Sequence, residues 1–409
     1  MASTPRVKKK TLSAGDLRAF RSMRQGLDGS LAGRSPAEVL ERTGWVRSVG
    51  GASPYLALFA RAGTSRAAAD AAVLAATIHE LPSARGCTYV VPAADHALAL
   101  RAGQGHGEAA EIEVAKKHCG VTDKEVAALC RATLAALAEG PRDPKELKET
   151  LGAEVRHLGE AGKKRGLTTT LPLALGLLQA RGEIRRVPVN GRLDQQRYAY
   201  AAWRPGPLDG VTLSDEQVAV ELAKRFYRWA APATIADLAW WAGLRVRVAK
   251  ATTAALGLVP VAEGDDRLVF PDDREALLAF ERPAEPSYRL VGSLDNIAHL
   301  RRDAASLLSS AHASLEVWNE KKTQAAGLLS DLPFHAILDR GQLIGLWDYD
   351  PAASAIVWKT FGKATAALKQ EVARVEAFVR EDLGDVRSFS LDSPESRVPR
   401  LAALRAARW

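Results

Sequence analysis

Apolar residues recur at helical spacing in three stretches of the chain, and each stretch ends in alternating apolar and polar positions. The first stretch predicts helices over 13–27, over 36–42 with Ser35 as the N-cap, and over 53–61. The segments HELPS and GCTYVVP follow as two extended runs joined by a glycine-containing turn. Helices followed by a short hairpin are typical of a winged helix-turn-helix.

The same order of elements returns twice. A second helical series begins at Thr122 in TDKEVAALCRATLAALAEG and continues through DPKELKETLG and GLTTTLPLALGLLQARG. The runs EIRRVPV and QQRYAYAAW then alternate around Asn190 and Gly191, which predict a two-residue hairpin turn. A third series begins near Ser214 and ends in LVPVAEGDDRLVF. The starts lie about 100 residues apart, which is the size of a small domain rather than of a solenoid repeat.

The pattern changes after the linker RPAEPS. The runs FHAILDRGQLIGLWDYD and AIVWKTF predict an antiparallel meander, and KATAALKQEVARVEAFVRED predicts a long closing helix. The predicted fold is mainly α with small β wings (α+β), with three tandem winged helix-turn-helix motifs and a C-terminal β-rich cap that ends in a long helix. The predicted boundaries are 11–100, 101–210 and 211–282 for the three motifs and 283–409 for the cap.

Composition narrows the choice of partners. The 409 residues carry 56 Lys and Arg against 48 Asp and Glu, so the net charge of +8 favours an anionic partner. No apolar run is long enough to span a bilayer, and MASTPRVKKKTLS lacks the apolar core of a secretory signal. Cys87, Cys119 and Cys130 lack metal-ligand spacing. We therefore expect a cytoplasmic, nucleoid-associated monomer without metal or cofactor.

Basic and hydroxyl residues gather where a winged helix-turn-helix contacts DNA, at the third helix and the wing. They predict a site for double-stranded DNA, although solvated charged faces are the alternative reading. In the second motif the predicted contacts precede or start the third helix, at Lys163, Lys164, Arg165, Thr168 and Thr169, or lie in the wing, at Arg185, Arg186 and Arg192. In the third motif they are Arg245, Arg247 and Lys250, and in the first motif they are Arg47 and Arg85.

Five stretches resemble a known family. They are YLALFAR at 55–61, RGCTYVVPAADH at 85–96, PATIADLAWWAGL at 232–244, LVGSLDNIAHLRRD at 290–303 and FHAILDRGQLIGLW at 334–347. In this order and spacing they are similar to the winged-helix crosslink-repair DNA glycosylases, a superfamily that includes azinomycin-resistance glycosylases. The resemblance implies three tandem winged helix-turn-helix motifs with a β-rich cap. It also implies hydrolysis of the N-glycosidic bond of alkylated purines, including interstrand crosslinks, in damaged DNA.

The catalytic signature of that family is not retained. It is Gln-x-Gln or Gln-x-Asp shortly before the helix that ends here in LALFAR, and its two positions fall on Arg47 and Val49. Glycosidic cleavage builds positive charge on the sugar and needs a group that accepts a proton from water. Arg47 cannot accept a hydrogen bond and carries the wrong sign, although it suits a phosphate or guanine contact.

Other residues of the first wing and the cap are candidates for the missing chemistry. The family pattern has a His where this chain has Tyr89, four residues after Arg85; Tyr89 either contacts DNA or faces inward from its strand. Asp295 is the preferred substitute carboxylate, with a helix cap or an ion pair as the alternative. Glu80, Asp95 and Glu108 lie in or near the first motif.

Three functions therefore stay open. The first is a monofunctional DNA glycosylase that excises a damaged base. The second is a winged-helix DNA binder without chemistry, which sequesters lesions for resistance or regulates transcription. The third is a protein-interaction scaffold that binds no nucleic acid, which the basic wings disfavour.

Overall fold

The computed structural model describes residues 11–319 and 322–409, so the basic segment before residue 11 lies outside the described residues. The first unit contains four helices and a three-stranded sheet in the order β1-β3-β2. Capping boxes at Ser13 and Ser35 begin the first two helices, as the hydroxyl and acid spacing predicts. Its elements are α1 (Ala14–Arg24), α2 (Pro36–Thr43), β1 (Val46–Arg47), α3 (Ser53–Ala62), α4 (Arg66–Leu74), β2 (Ile78–Ser83) and β3 (Cys87–Pro92).

The second unit is a helical group with its own hairpin. Thr122 and Asp143 cap two of its helices through their side chains. Its elements are α5 (His96–Gly103), α6 (Gly107–Cys119), α7 (Asp123–Leu137), α8 (Pro144–Leu151), α9 (Gly159–Lys163), α10 (Leu171–Ala180), β4 (Ile184–Pro188) and β5 (Tyr198–Ala202).

The predicted two-residue turn at Asn190 and Gly191 is wrong. The β4–β5 ladder closes at Pro188 opposite Tyr198, so a nine-residue loop, 189–197, joins the strands. This loop packs inward, because Leu193 is fully buried and its N–H donates to the Tyr55 hydroxyl at 2.9 Å. Tertiary contacts thus override the local turn preference.

The third unit repeats the pattern of helices followed by a hairpin. Ser214 and Thr234 supply capping boxes, and the two short strands form their own two-stranded sheet. Its elements are α11 (Asp215–Ala230), α12 (Ile235–Ala242), α13 (Val246–Ala254), β6 (Val259–Pro260), β7 (Leu268–Val269) and α14 (Pro271–Ala279).

The cap is built on a four-stranded antiparallel sheet in the order β13-β12-β11-β8, and β9 and β10 form a separate pair. The predicted closing helix is α16, but it is not terminal: it runs into a π-helical turn, Val379–Leu383, and a further helix follows. The elements are β8 (Tyr288–Val291), α15 (Asn296–His299), β9 (Glu316–Asn319), β10 (Lys322–Ala325), β11 (His335–Asp339), β12 (Gln342–Asp350), β13 (Ala355–Thr360), α16 (Ala366–Phe378) and α17 (Pro394–Ala406).

Only some of the hydrophobic clusters of the described residues lie within a single predicted motif. One buried cluster, from Ala115 to Ile184, lies wholly within the second unit. Another joins the first and third units, where Trp45 packs 5.6 Å from Trp229 and 5.8 Å from Trp241 between ring centroids. The first unit therefore shares its core with its neighbours, including α5 of the second unit, while the later helices of the second unit have a core of their own. Within the described residues, no helix has the length and apolarity to cross a membrane.

Candidate nucleic-acid interface

The segment that contains Arg47 and Val49, the two signature positions, is fixed by contacts with β3 on one side and with the cap on the other. Arg47 pairs with Tyr89 in the ladder between β1 and β3. The Ser390 N–H donates to the Val49 carbonyl at 2.9 Å, and a side chain at Gly51 would lie 2.4 Å from the Ser388 carbonyl oxygen. Glycine is therefore required at 51, because the cap covers this segment closely. Arg47 and Val49 are both half-buried.

Arg47 belongs to a group of side chains contributed by the first unit, the third unit and the cap. We call it the arginine–tryptophan cluster: Arg47, Arg85, Trp240, His299 and Arg302. The guanidinium carbon lies 4.0 Å from the Trp240 ring centroid for Arg85 and 5.4 Å for Arg302. The His299 ring meets Trp240 edge-on at 5.6 Å. Cationic groups over an aromatic face gain cation–π attraction.

Two of these arginines have left-handed backbones. The φ angle is 61° at Arg85 and 49° at Arg302, a region that residues other than glycine seldom adopt. Such conformations cost of order 1 kcal/mol each and often occur at binding sites. The turn at Arg85 also lies against Gly243, where a side chain would meet the Arg85 Cγ at 2.7 Å. Close packing of the first wing on the end of α12 thus brings Arg85 to Trp240.

The cluster is electropositive. Burial, followed by repulsion from Arg47 and more weakly from Arg85 and Arg302, lowers the pKa of His299 to about 4, so the imidazole is neutral at pH 7. Arg302 pairs with Asp331, whereas Arg47 and Arg85 have no carboxylate within 4 Å among the described residues. Within the described part of the chain, the Arg47 guanidinium donates only to the Thr88 carbonyl, at 3.4 Å. Guanidinium groups of this kind suit phosphate oxygens.

Asp295 lies elsewhere, and its placement corrects the predicted role. Its carboxylate accepts from Arg61 at 2.7 and 2.9 Å and from the Ile297 N–H at 2.9 Å, as the N-cap of α15. The side chains of Asp295 and Arg61 are each 1% exposed. A carboxylate with these partners and no solvent contact does not steer a water toward DNA. The ion-pair and cap alternative describes it correctly.

The carboxylate nearest the signature segment belongs to Glu80. Ser48, between the two signature positions, donates its hydroxyl to Glu80 Oε1 at 2.5 Å, and Arg186 reaches Oε2 at 3.4 Å. Burial and the Glu80 charge raise the pKa of the adjacent Tyr198. Sequence reasoning placed Glu80 near the first motif but assigned it no partner, because only the β2–β3 register and the docking of β4 reveal this contact.

Tyr89 faces inward. It is 1% exposed, and its ring lies 6.4 Å from Trp45 in the shared core, so burial raises the pKa of its phenol. The expectation that Tyr89 contacts a base or phosphate therefore does not fit its position. The inward-facing alternative does.

The predicted DNA contacts divide into two groups. Arg186 pairs with Glu80, and Arg192 pairs with Asp194 while donating to the Leu383 carbonyl at 2.8 Å, so both mainly join the second wing to its neighbours. Arg185 is half-buried and Thr169 is buried. The exposed group consists of Lys163, Lys164, Arg165, Thr168, Arg245, Arg247 and Lys250.

The described residues contain no group of three His, Cys, Asp or Glu side chains suited to a metal ion.

Helical units with hairpins, a β-rich cap and an electropositive cluster where they meet define a protein of the DNA-handling class. Residues 40–378 match the family model described as "DNA glycosylase AlkZ-like", and the chain belongs to this family.

The fold is also that of a solved member. The structure of Streptomyces sahachiroi DNA glycosylase AlkZ superposes with a TM-score of 0.65, covering 93% of this chain and 99% of that chain at 18% identity. At this identity the likeness concerns the fold. A comparison with curated proteins gives no match.

Proposed function

We propose that this protein binds duplex DNA that carries alkylated or crosslinked purines, and that the duplex lies against the arginine–tryptophan cluster. The observation that carries the proposal is the pair Arg47 and Arg85, which are charged and lack carboxylate partners among the described residues. Arg85 lies over the Trp240 ring, and Arg47 lies over the ring of Tyr89. Family membership supports DNA as the partner. Arg245, Arg247 and Lys250 extend the positive surface along α13, which follows α12 directly.

The test is the salt dependence of binding to a fluorescent duplex, with and without N7-methylguanine. Each phosphate contact adds about 0.9 to the slope of log affinity against log salt, so replacing Arg47 and Arg85 by Gln is expected to lower the slope by about 2. The affinity should fall at least tenfold. Arg374→Gln on α16 is the control, because this exposed arginine pairs locally with Glu371. Equal losses in both variants, or binding insensitive to salt, would contradict the proposal.

Base excision is a second candidate, favoured by family membership and by the contact of Glu80 with the signature segment. In an N7-alkylated purine the ring is positively charged. When the C1′–N9 bond breaks, its electron pair stays with the base, which leaves neutral. Water then bonds to C1′ and loses a proton to a carboxylate. In this proposal Glu80 takes that proton, and Arg47 holds a phosphate.

Alkaline heating after incubation with methylated duplex tests excision directly, because abasic sites break under alkali. We expect breaks at methylated guanines above the spontaneous background. A protein that binds the duplex with high affinity yet produces no additional breaks would remove the excision proposal and leave the binding proposal standing.

A further inference from the structure

A cleft of about 600 Å³ lies between the first wing and the second unit. Its position links it to the arginine–tryptophan cluster, because the wing turn carries Arg85 toward Trp240 while the next residue, Gly86, lines the cleft. A side chain at Gly86 would lie 3.0 Å from the backbone nitrogen of Gly107, so the wing approaches α6 closely here. The volume is within the usual range for small-ligand sites.

The cleft carries both signs of charge on separate elements. Glu108 and Glu111 lie one turn apart at the start of α6, whereas Lys145 and Lys148 come from α8 and Arg186 from β4. Burial, with repulsion from Glu108, raises the pKa of Glu111. The Glu108 carboxylate already accepts from the Gly105 N–H at 2.8 Å. Glu111 is exposed and has no hydrogen-bond partner among the described residues, so its carboxylate is free to pair with a cationic ligand.

Between these charges, apolar and polar groups suit a flat polar ring. Pro172 and Leu175 of α10 and Tyr200 of β5 supply apolar surface. Thr169 and Gln179 are 9% and 7% exposed and both line the cleft. The Gln179 amide donates to the Leu175 carbonyl at 3.0 Å, but its side-chain oxygen and the Thr169 hydroxyl have no partner within the described part of the chain. Neither oxygen is among the fully enclosed unpartnered atoms of the described residues, so both are accessible from the cleft and can bond to a ligand there.

We propose that this cleft receives an extrahelical N7-alkylated purine nucleotide, with Glu111 recognising the positive ring and Lys148 the phosphate. Such a nucleotide joins a flat cationic ring to an anionic phosphate, which matches the two sets of charges. The inference rests on the proposed DNA binding for its biological setting. Extruding a base costs a few kcal/mol and is cheapest when stacking or pairing is already weakened by damage. The free nucleotide should bind on its own.

The first experiment measures binding of 7-methylguanosine 5′-phosphate and of guanosine 5′-phosphate to the full chain. We expect the methylated, cationic ring to bind at least tenfold more tightly, and Glu111→Gln to reduce that ratio to about one. Glu113→Gln is the matched control, because Glu113 is exposed on the same helix, pairs with Lys116 and lies outside the cleft. Equal binding of the two nucleotides by the wild type, or equal effects of the two variants, would overturn the proposal.

A second variant separates the two halves of the ligand. Lys148→Gln should weaken both nucleotides by a similar factor while preserving the ratio between them. Loss of duplex binding by the wild type with nucleotide discrimination intact would reject the proposed DNA surface alone, whereas intact duplex binding without discrimination would reject the cleft alone.

Discussion

Two buried carboxylates of this protein have opposite relations to the site. The Asp295 carboxylate accepts two short hydrogen bonds from Arg61, caps a helix and is almost fully buried. Glu80 is 5% exposed, has one short contact from Ser48 and one long contact from Arg186, and lies beside the signature segment. Burial alone thus does not separate a structural acid from a candidate proton acceptor. The number and strength of the partners do.

The largest expected effect on stability is at Asp295, the carboxylate whose two oxygens both accept hydrogen bonds from Arg61. Asp295→Ala leaves the Arg61 guanidinium buried without its partner, and breaking a buried pair in this way costs about 3–5 kcal/mol. We expect the urea midpoint to fall accordingly, with a decrease of that size in the free energy of unfolding.

A double variant sharpens this first prediction. Replacing Arg61 by Met together with Asp295 by Leu removes both charges, so it should destabilise the protein less than Asp295→Ala does. If the single variant is as stable as the wild type, the Arg61–Asp295 pair does not hold the fold and the contrast with Glu80 disappears.

The second effect concerns chemistry rather than stability. Glu80→Gln retains the size of the side chain and an oxygen for Ser48 but removes the proton acceptor. General-base catalysis contributes about 10²–10⁴ to rates, so base release from methylated duplex should slow by at least about a hundredfold. Duplex affinity and the urea midpoint are the readouts that a merely structural Glu80 would move first. Undiminished release by the variant would rule out Glu80 as the proton acceptor.

Acid should destabilise the fold through its buried neutral histidines, and His79, next to Glu80 on β2, is one of them. Burial, with smaller contributions from His96, Arg185 and Arg186, lowers the pKa of His79 to about 3. In the unfolded chain His79 binds a proton near pH 6.5, whereas in the folded chain it stays neutral at that pH. Stability therefore falls as the pH drops below this value.

By this linkage, His79 accounts for up to about 2 kcal/mol of lost stability at pH 5. His79→Gln should flatten the decline of the urea midpoint between pH 7 and pH 5. The same slope in wild type and variant would show that His79 does not contribute to the acid effect.

The smallest effect is expected at Tyr89. Because its phenol lies in the core, Tyr89→Phe should change duplex affinity by less than about twofold, a change of under about 0.5 kcal/mol. Arg85→Gln, four residues earlier, should cause a clear loss in the same binding titration. A large loss with Tyr89→Phe would restore a direct role for this side chain.

Local features were predictable from the sequence. The capping residues Ser35, Thr122 and Ser214 begin helices where expected, because a cap depends on neighbours only three residues away. The fold class is confirmed by the family match and by the superposed structure. The domain boundaries stay a prediction, and the shared core of the first and third units shows why periodicity alone does not define them.

The site was less predictable, because its members meet only through tertiary packing. Nothing in the sequence indicates that Arg61 pairs with Asp295, 234 residues away. Asp295 was therefore predicted to be a catalytic carboxylate, because it lies in a family-like stretch. Trp240 lies in one of the family-like stretches, but the sequence does not indicate its role, because its contact with Arg85 depends on the close approach at Gly243. Arg192 was predicted to contact DNA, but in the inward-packed loop its guanidinium pairs with Asp194.

The central claim is that duplex DNA lies against the arginine–tryptophan cluster and the adjoining α13. Lysine footprinting by mass spectrometry tests it most directly, because exposed Lys250 lies on α13 and exposed Lys369 lies on α16 in the cap. With saturating methylated duplex, we predict that acetylation of Lys250 falls severalfold while that of Lys369 is unchanged. Protection of Lys369 with Lys250 still reactive would contradict the account.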